Sequence, residues 1–184
     1  MMHATEILVE EHQVIEEMLK VLEKICERMA QGGRVAVEHL ESVLSFIRGF
    51  ADECHHRKEE EFLFPAMEEA GIPREGGPIG VMLAEHNLGR EFVKKMREGV
   101  KKYQQEESEG QKLFVEGARG YIDLLRQHIY KENNVLFPMA NVHLAAHQQK
   151  KLLENWEEVE KQMGEGKHRE YKEIVERMKA VYGG

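Results

Sequence analysis

Apolar residues recur every three or four positions along almost the whole chain, which is the spacing of helices that bury one face. No segment alternates apolar and polar residues as a half-buried strand does. Clusters of glycine, proline and polar residues interrupt the pattern at 32–33, 71–78, 106–110 and 164–166. The pattern therefore predicts an all-α protein with helices at about Thr5–Ala30, Val35–Ala70, Ile79–Gln105, Lys112–Ala140, Leu144–Met163 and Arg169–Tyr182.

The first four helices predict an up-and-down four-helix bundle over residues 1–143, and the last two predict a helical extension over residues 144–184. The acidic residues agree with a helical fold, because all of them except Asp52 and Asp123 are glutamate, which favours helix more than aspartate does. We expect the extension to cover the bundle or to form the surface of a homodimer.

The charge and the cysteine count narrow the class of protein. The chain carries a formal net charge of −8, whereas a nucleic-acid-binding protein presents a basic face. No apolar run approaches the roughly 20 residues that cross a membrane. Cys26 and Cys54 are too few for a disulfide framework, and the glutamates near the start leave no visible secretory signal. We therefore expect a cytoplasmic protein that binds neither nucleic acid nor membranes, with both cysteines as small apolar residues.

An internal repeat is the most informative feature of the sequence. The pattern His-x-x-x-Glu-x-x-x-Leu-Phe-Pro occurs at 55–65 and again at 128–138, and the pair Glu-His occurs at 11–12 and at 85–86. A single His-x-x-x-Glu is weak evidence in a chain so rich in glutamate. The eleven-residue pattern, however, occurs twice, and each time Glu-His stands on the helix before it. Chance is not expected to produce this arrangement. The third and fourth helices therefore repeat the first and second.

Six residues of this repeat fall on the apolar stripes of their helices: His12, His55, Glu59, His86, His128 and Glu132. Residues four apart lie on one face of a helix, so each His-x-x-x-Glu pair points the same way. Burying ionised glutamates without a partner is costly, and two metal ions held by carboxylates and neutral imidazoles remove that cost. The sequence therefore predicts these six residues as metal ligands in the bundle core. A hydrogen-bonded His–Glu network without metal is the alternative.

The other histidines are expected to be ordinary surface residues. His56 lies about 100° around an α-helix from His55, so solvent is its expected environment, with a fifth histidine ligand or a support for the ligands as the alternative. His143 and His147 are four apart, but no further ligands for zinc stand near them, which favours a surface pair. His3, His39 and His168 are expected to be solvated.

Pro65 and Pro138 stand just beyond the predicted ligands in the two repeats. Proline lacks a backbone N–H and disturbs the helix before it. Each is expected to kink the helix or to end a helical segment. The neighbouring Phe64 and Phe137 are expected to line the site or belong to the core.

The paired motifs resemble the hemerythrin-like, or HHE cation-binding, domain over about residues 5–143. The resemblance implies a non-haem di-iron centre in which His12 and His55 bind one iron and His86 and His128 bind the other. Glu59 and Glu132 would bridge the two irons together with an oxo or hydroxo group. Imidazole and carboxylate ligands suit iron, although manganese or zinc would also fit them.

The motifs differ from those of the oxygen-carrying hemerythrins. Those carriers have His-x-x-x-His on the third helix, where this chain has Arg90 four residues after His86. They also have His-x-x-x-x-Asp on the fourth helix, where this chain has His-x-x-x-Glu. The four-His, two-Glu set is similar to that of iron–sulfur-centre repair proteins and of the iron-sensing domain of a ubiquitin ligase subunit.

The resemblance thus implies a protein that binds or senses O2, or a related small molecule, at a carboxylate-bridged iron pair. The alternative is a di-iron enzyme that handles peroxide or nitric oxide, or that donates iron for iron–sulfur cluster repair. A helical bundle without metal is the third hypothesis.

Overall fold

The computed structural model describes residues 3–183, and every regular element in this range is helical. The all-α fold predicted from the sequence is thus confirmed. Met1, Met2 and Gly184, at the outer ends of the two predicted regions, lie outside the described residues. Helices of purely α-helical geometry are α1 Thr5–Ala30, α2 Val37–Phe46, α3 Phe64–Glu69, α4 Pro78–Gln104, α5 Ser108–Lys131, α6 Phe137–His143, α7 Ala146–Met163 and α8 Lys167–Tyr182.

Three π-helical segments join some of these helices into longer rods. Ile47–His56 and Glu59–Leu63 connect α2 to α3, and Glu132–Leu136 connects α5 to α6. The bundle therefore consists of α1, the rod from α2 to α3, α4, and the rod from α5 to α6. The hydrogen bonds of a π-helix join residues five apart, so its turn is wider than that of an α-helix. Short π-helical segments within α-helices are frequent at functional sites.

The two prolines of the repeat mark the ends of π-helical segments. Pro65 and Pro138 stand in the first turn of α3 and α6, directly after the π-helical segments, and each lacks the backbone N–H that would bond to a carbonyl of the preceding turn. The prolines were expected to kink the helix or to end a helical segment, and a π-helical segment does end directly before each Phe-Pro pair. The helical path continues past each proline and changes there from π- to α-helical geometry.

Two apolar clusters fill the interior, and a polar layer lies between them. The larger cluster draws on α1, α2, α4, α5 and α8, and the smaller on the start of α1, on α3, α6, α7 and the start of α4. Along α1 the chain passes from Leu8 in the smaller cluster, through His12, to Ile15 in the larger one. The other rods cross in the same way, so the six predicted ligands form one layer in the middle of the bundle.

The C-terminal helices contribute to both apolar clusters. Leu152 and Trp156 of α7 belong to the smaller cluster, and Val175 and Met178 of α8 belong to the larger one. The extension therefore covers the bundle, and its use as a homodimer surface stays a prediction, as does the division into two regions. Within residues 3–183, no helix has both the length and the apolar character needed to cross a bilayer.

Candidate metal centre

The fold brings all six predicted ligands together. Each of them is at most 2% exposed to solvent. The imidazole Nε2 atoms face the two carboxylates, at 3.1 Å for His12–Glu132, 3.2 Å for His128–Glu132, 3.6 Å for His55–Glu59 and 3.4 Å for His86–Glu59. Each glutamate thus directs one oxygen at a histidine of the first repeat and the other oxygen at a histidine of the second, which is the placement that a bridging carboxylate needs.

The outer nitrogen of each histidine has a hydrogen-bond acceptor. The four Nδ1 pairs are His12–Asn133 at 2.7 Å, His55–Glu11 at 2.9 Å, His86–Glu60 at 2.7 Å and His128–Glu85 at 3.0 Å. Carboxylate and amide oxygens accept hydrogen bonds, so each Nδ1–H donates outward. An imidazole that is neutral in this arrangement has its lone pair on Nε2, inside the layer. This is how proteins orient histidines that bind metals.

Six inner atoms of the layer lack hydrogen bonds, whereas Nε2 of His86 and Nε2 of His128 lie 3.1 Å apart and pair with each other. Within residues 3–183, Nε2 of His12 and of His55 and both carboxylate oxygens of Glu59 and of Glu132 are buried without a hydrogen-bond partner. Buried polar groups are nearly always paired, and leaving a carboxylate unpaired is costly. A self-contained hydrogen-bonded network would satisfy these atoms. Their lone pairs instead converge, and a set of imidazoles and carboxylates fits iron, manganese or zinc.

The ligand atoms fall into two adjacent groups. His12, His55, Glu59 and Glu132 form one group, the candidate first metal position, and His56, Glu59, His86 and His128 form the other, the candidate second metal position. Within each group the ligand atoms lie within 4.8 Å of one another. Because Glu59 belongs to both groups, the two positions are neighbours that share a carboxylate.

The electrostatics of the layer also favour a cation. Burial, together with the nearby Glu132 carboxylate, raises the pKa of Glu59 well above its usual value. Burial acts on Glu132 in the same sense, but His128 and His12 hold the pKa of this carboxyl well below its usual value. Burial and the neighbouring His12 lower the pKa of His55 to about 4, so this imidazole is neutral at pH 7, the form that binds metal.

The comparison with known proteins decides the family. Residues 3–140 match the family model of the hemerythrin HHE cation binding domain. The chain belongs to this family. The match covers all four rods of the bundle and all six predicted ligands.

Curated relatives of this HHE protein include iron-sulfur cluster repair proteins named YtfE. The sequence is 38% identical over 88 residues to YtfE of Salmonella typhimurium (strain LT2), which is 47% of this chain and 40% of that protein. It is 36% identical over 88 residues, with the same coverage, to YtfE of Salmonella newport (strain SL254). The chain thus spans about two fifths of the length of these relatives. No solved structure shows a significant match.

The prediction that His56 faces solvent is wrong. In this HHE domain its side chain is 5% exposed, its ring stacks on His86 with 4.0 Å between the centroids, and its Nδ1 lies 3.3 Å from Oδ1 of Asp52. The physical reason is the π-helical segment Ile47–His56. A wider turn rotates less from one residue to the next, so His56 stays closer to the face of His55 than an α-helix would allow.

A buried lysine network was also missed. Lys58 is fully buried, and its Nζ lies 2.6 Å from Oε1 of Glu11 and 2.7 Å from Oε1 of Glu160. Nε2 of His168 lies 3.3 Å from the same Glu11 oxygen, and its side chain is 27% exposed, so His168 is only partly solvated, where a solvated residue was predicted. The repeat carried a signal for this network, because Glu11 and Lys58 recur as Glu85 and Lys131, which also pair.

The remaining predictions for histidines and cysteines have mixed outcomes. His143 and His147 are exposed, as predicted for a surface pair. His39 is half-buried, with Nδ1 2.7 Å from the Tyr182 hydroxyl, so it is only partly solvated, where a solvated residue was predicted. Cys26 and Cys54 are buried with free thiols, and burial raises their pKa to about 11 and about 12, in agreement with small apolar roles. His3 is half-buried.

A surface cleft of 310 Å³ reaches the second metal position. His56 and His86 lie at its inner end, beside Tyr121. Basic side chains line its outer part: Arg48, Arg90, Lys94 and Arg97. The cleft is therefore a candidate route for a small molecule to the histidine layer.

Proposed function

We propose that this chain holds a pair of non-haem iron ions and uses them in the repair of iron–sulfur clusters. The observation that carries the proposal is the polar layer itself, in which two carboxylates and four imidazoles converge with unpaired ligand atoms. The sequence similarity to iron-sulfur cluster repair proteins supports the repair role over O2 binding. Because the similarity spans only part of those proteins, the activity is a proposal.

The proposed roles follow from the contacts. His12 and His55 would hold one iron, His86 and His128 would hold the other, and Glu59 and Glu132 would be shared between the two, with an oxo or hydroxo group as a further shared ligand. Bound iron supplies electron exchange and open positions for small ligands such as nitric oxide or peroxide. The protein contributes the Nδ1 acceptors, which hold each imidazole with Nε2 facing inward.

Aromatic side chains limit the water around the layer. Phe137 stacks on His12 with 5.4 Å between the ring centroids, and Phe64 stacks on His86 at 6.0 Å. Both phenylalanines are buried and belong to the smaller apolar cluster. The small ligand of the site is proposed to arrive through the cleft at His56 and His86.

An assay of cluster repair tests this function. The full chain, loaded anaerobically with Fe(II), is mixed with a [4Fe–4S] enzyme that nitric oxide or peroxide has damaged, and the recovered activity is compared with that given by free Fe(II). We expect recovery with the wild type, little with Glu59→Ala, and normal recovery with Glu61→Ala, since Glu61 is exposed two residues away. Equal recovery with free Fe(II) and with the loaded protein would contradict the repair role.

Reversible binding or sensing of O2 is the second candidate. The stacked phenylalanines favour it, because an apolar wall suits a small neutral ligand. The reduced iron-loaded protein is exposed to O2 while its absorption spectrum is followed. A band that decays slowly and disappears when O2 is removed supports this candidate, and immediate oxidation without such a band supports redox turnover or repair.

A further inference from the structure

The internal repeat makes most contacts of the metal centre symmetric. Glu11 orients His55 as Glu85 orients His128, and the two lysines, Lys58 and Lys131, each pair with one of these glutamates. If the repeat, with its offset of 73 residues, were exact, the two metal positions would have identical surroundings. Any residue that breaks the relation marks a difference between them.

His56 breaks the symmetry. The equivalent position in the second repeat is Ile129, and the equivalent of Asp52 is Leu125. Ile129 and Leu125 are buried in the larger apolar cluster. The second metal position therefore has an imidazole and a carboxylate where the first has two aliphatic side chains.

The contacts of His56 match those of the four predicted histidine ligands. Its Nδ1 faces a carboxylate oxygen, that of Asp52, as Nδ1 of His55, His86 and His128 each faces a carboxylate oxygen. One of its ring nitrogens belongs to the group of atoms within 4.8 Å of one another that also includes atoms of Glu59, His86 and His128.

Arg90 fixes the carboxylate behind His56. Its guanidinium donates to Asp52 at 2.7, 3.0 and 3.2 Å and to Glu60 at 2.9 Å. Glu60 in turn accepts from His86. A single arginine thus holds both carboxylates that orient the stacked pair His56 and His86, and a fork of this kind sets a precise geometry.

We propose that His56 is a fifth histidine ligand and binds the metal ion of the second position, together with His86 and His128. The assignment rests on the proposed di-iron centre. It makes the two ions unlike, because one has three imidazoles and the other has two. It also places the three-imidazole ion at the inner end of the cleft, next to His56 and His86.

Proton NMR of the full chain loaded with Co(II) tests the assignment. Each imidazole that binds the ion retains one exchangeable Nδ1–H. The paramagnetic ion shifts the resonance of this proton far from the resonances of the rest of the protein. Labelling with ¹⁵N-histidine identifies these resonances. We expect five in the wild type, four in His56→Gln and five in His143→Gln, an exposed control. We also expect one of the two ions to bind about tenfold or more weakly in His56→Gln.

A second variant keeps the test valid if His56→Gln does not fold. In Asp52→Asn the count is expected to remain five, while the His56 resonance moves and the other four stay. A wild type with only four shifted resonances, or a His56→Gln protein that retains all five, would overturn the role of His56 and leave the metal centre standing. A wild type that binds no metal would overturn both.

Discussion

Each ligand histidine depends on one hydrogen bond that it donates away from the metal. For His55 and His128 the acceptors are Glu11 and Glu85, and each glutamate is itself held by a lysine, Lys58 or Lys131. The Nδ1 proton is thereby fixed, so the imidazole presents a lone pair rather than a proton at Nε2. The residues behind the ligands therefore decide how well the ligands bind.

Loss of a bridging glutamate is expected to release both ions together. Glu59 and Glu132 each face one histidine from each pair, so neither metal position is complete without them. Metal analysis of Glu59→Ala and Glu132→Ala after loading with iron is expected to give little of either ion, and Glu61→Ala is expected to match the wild type. Retention of one ion in either bridging variant would count against the shared carboxylates.

Loss of an outer carboxylate is expected to weaken binding without abolishing it. Glu85→Ala removes the acceptor for His128, and substitutions of this kind cost roughly 10–100-fold in metal affinity. Competition with a coloured chelator measures the affinity, and Glu98→Ala, an exposed change on the same helix, is the control. An unchanged affinity in Glu85→Ala would show that the Nδ1 contact does not support the ligand.

At the scale of elements, the sequence predicts the helices well because the apolar spacing repeats over long stretches. The ligands were predictable because the same eleven-residue pattern places them twice. The environment of His56 was not predictable, since a rotation of about 100° per residue assumes α-helical geometry and the segment Ile47–His56 is π-helical. Nor does helical spacing reveal that Glu160 of α7 pairs with Lys58, or that His168 of α8 contacts Glu11, the acceptor for His55.

Lys58 links Glu160 of α7 to Glu11 beside the polar layer, so its removal is expected to lower the free energy of unfolding. Lys58→Met leaves the carboxylate of Glu11, which is 3% exposed, without its ammonium partner. Breaking a buried ion pair in this way costs roughly 3–5 kcal/mol in the free energy of unfolding. Chemical denaturation measures the loss, with Lys20→Met, which removes an exposed pair, as the control. Equal losses in the two variants would contradict the structural role of Lys58.

The whole molecule is two apolar clusters separated by a polar layer. The clusters stabilise the bundle by burial, whereas the layer adds stability only when its unpaired carboxylates and imidazoles bind a cation. The C-terminal helices span both clusters, so they fix one side of the layer. Metal binding and folding are therefore expected to be coupled.

Removal of the metal is expected to lower the melting temperature. A ligand at about 100 times its dissociation constant stabilises the folded state by about 2.7 kcal/mol, which for a chain of this size corresponds to about 5–10 °C. Calorimetry with and without a chelator measures the shift. Glu59→Ala is expected to melt at the same temperature in both conditions, and an equally large shift in this variant would place the metal elsewhere.

The location of the metal tests the central claim most directly. Crystals of the iron-loaded protein, measured at the iron absorption edge, show where iron lies through its anomalous scattering. The account predicts two adjacent peaks in the polar layer, one beside His12 and His55 and the other beside His86 and His128, with Glu59 and Glu132 between them. A single peak, peaks outside this layer, or a layer without iron would contradict it.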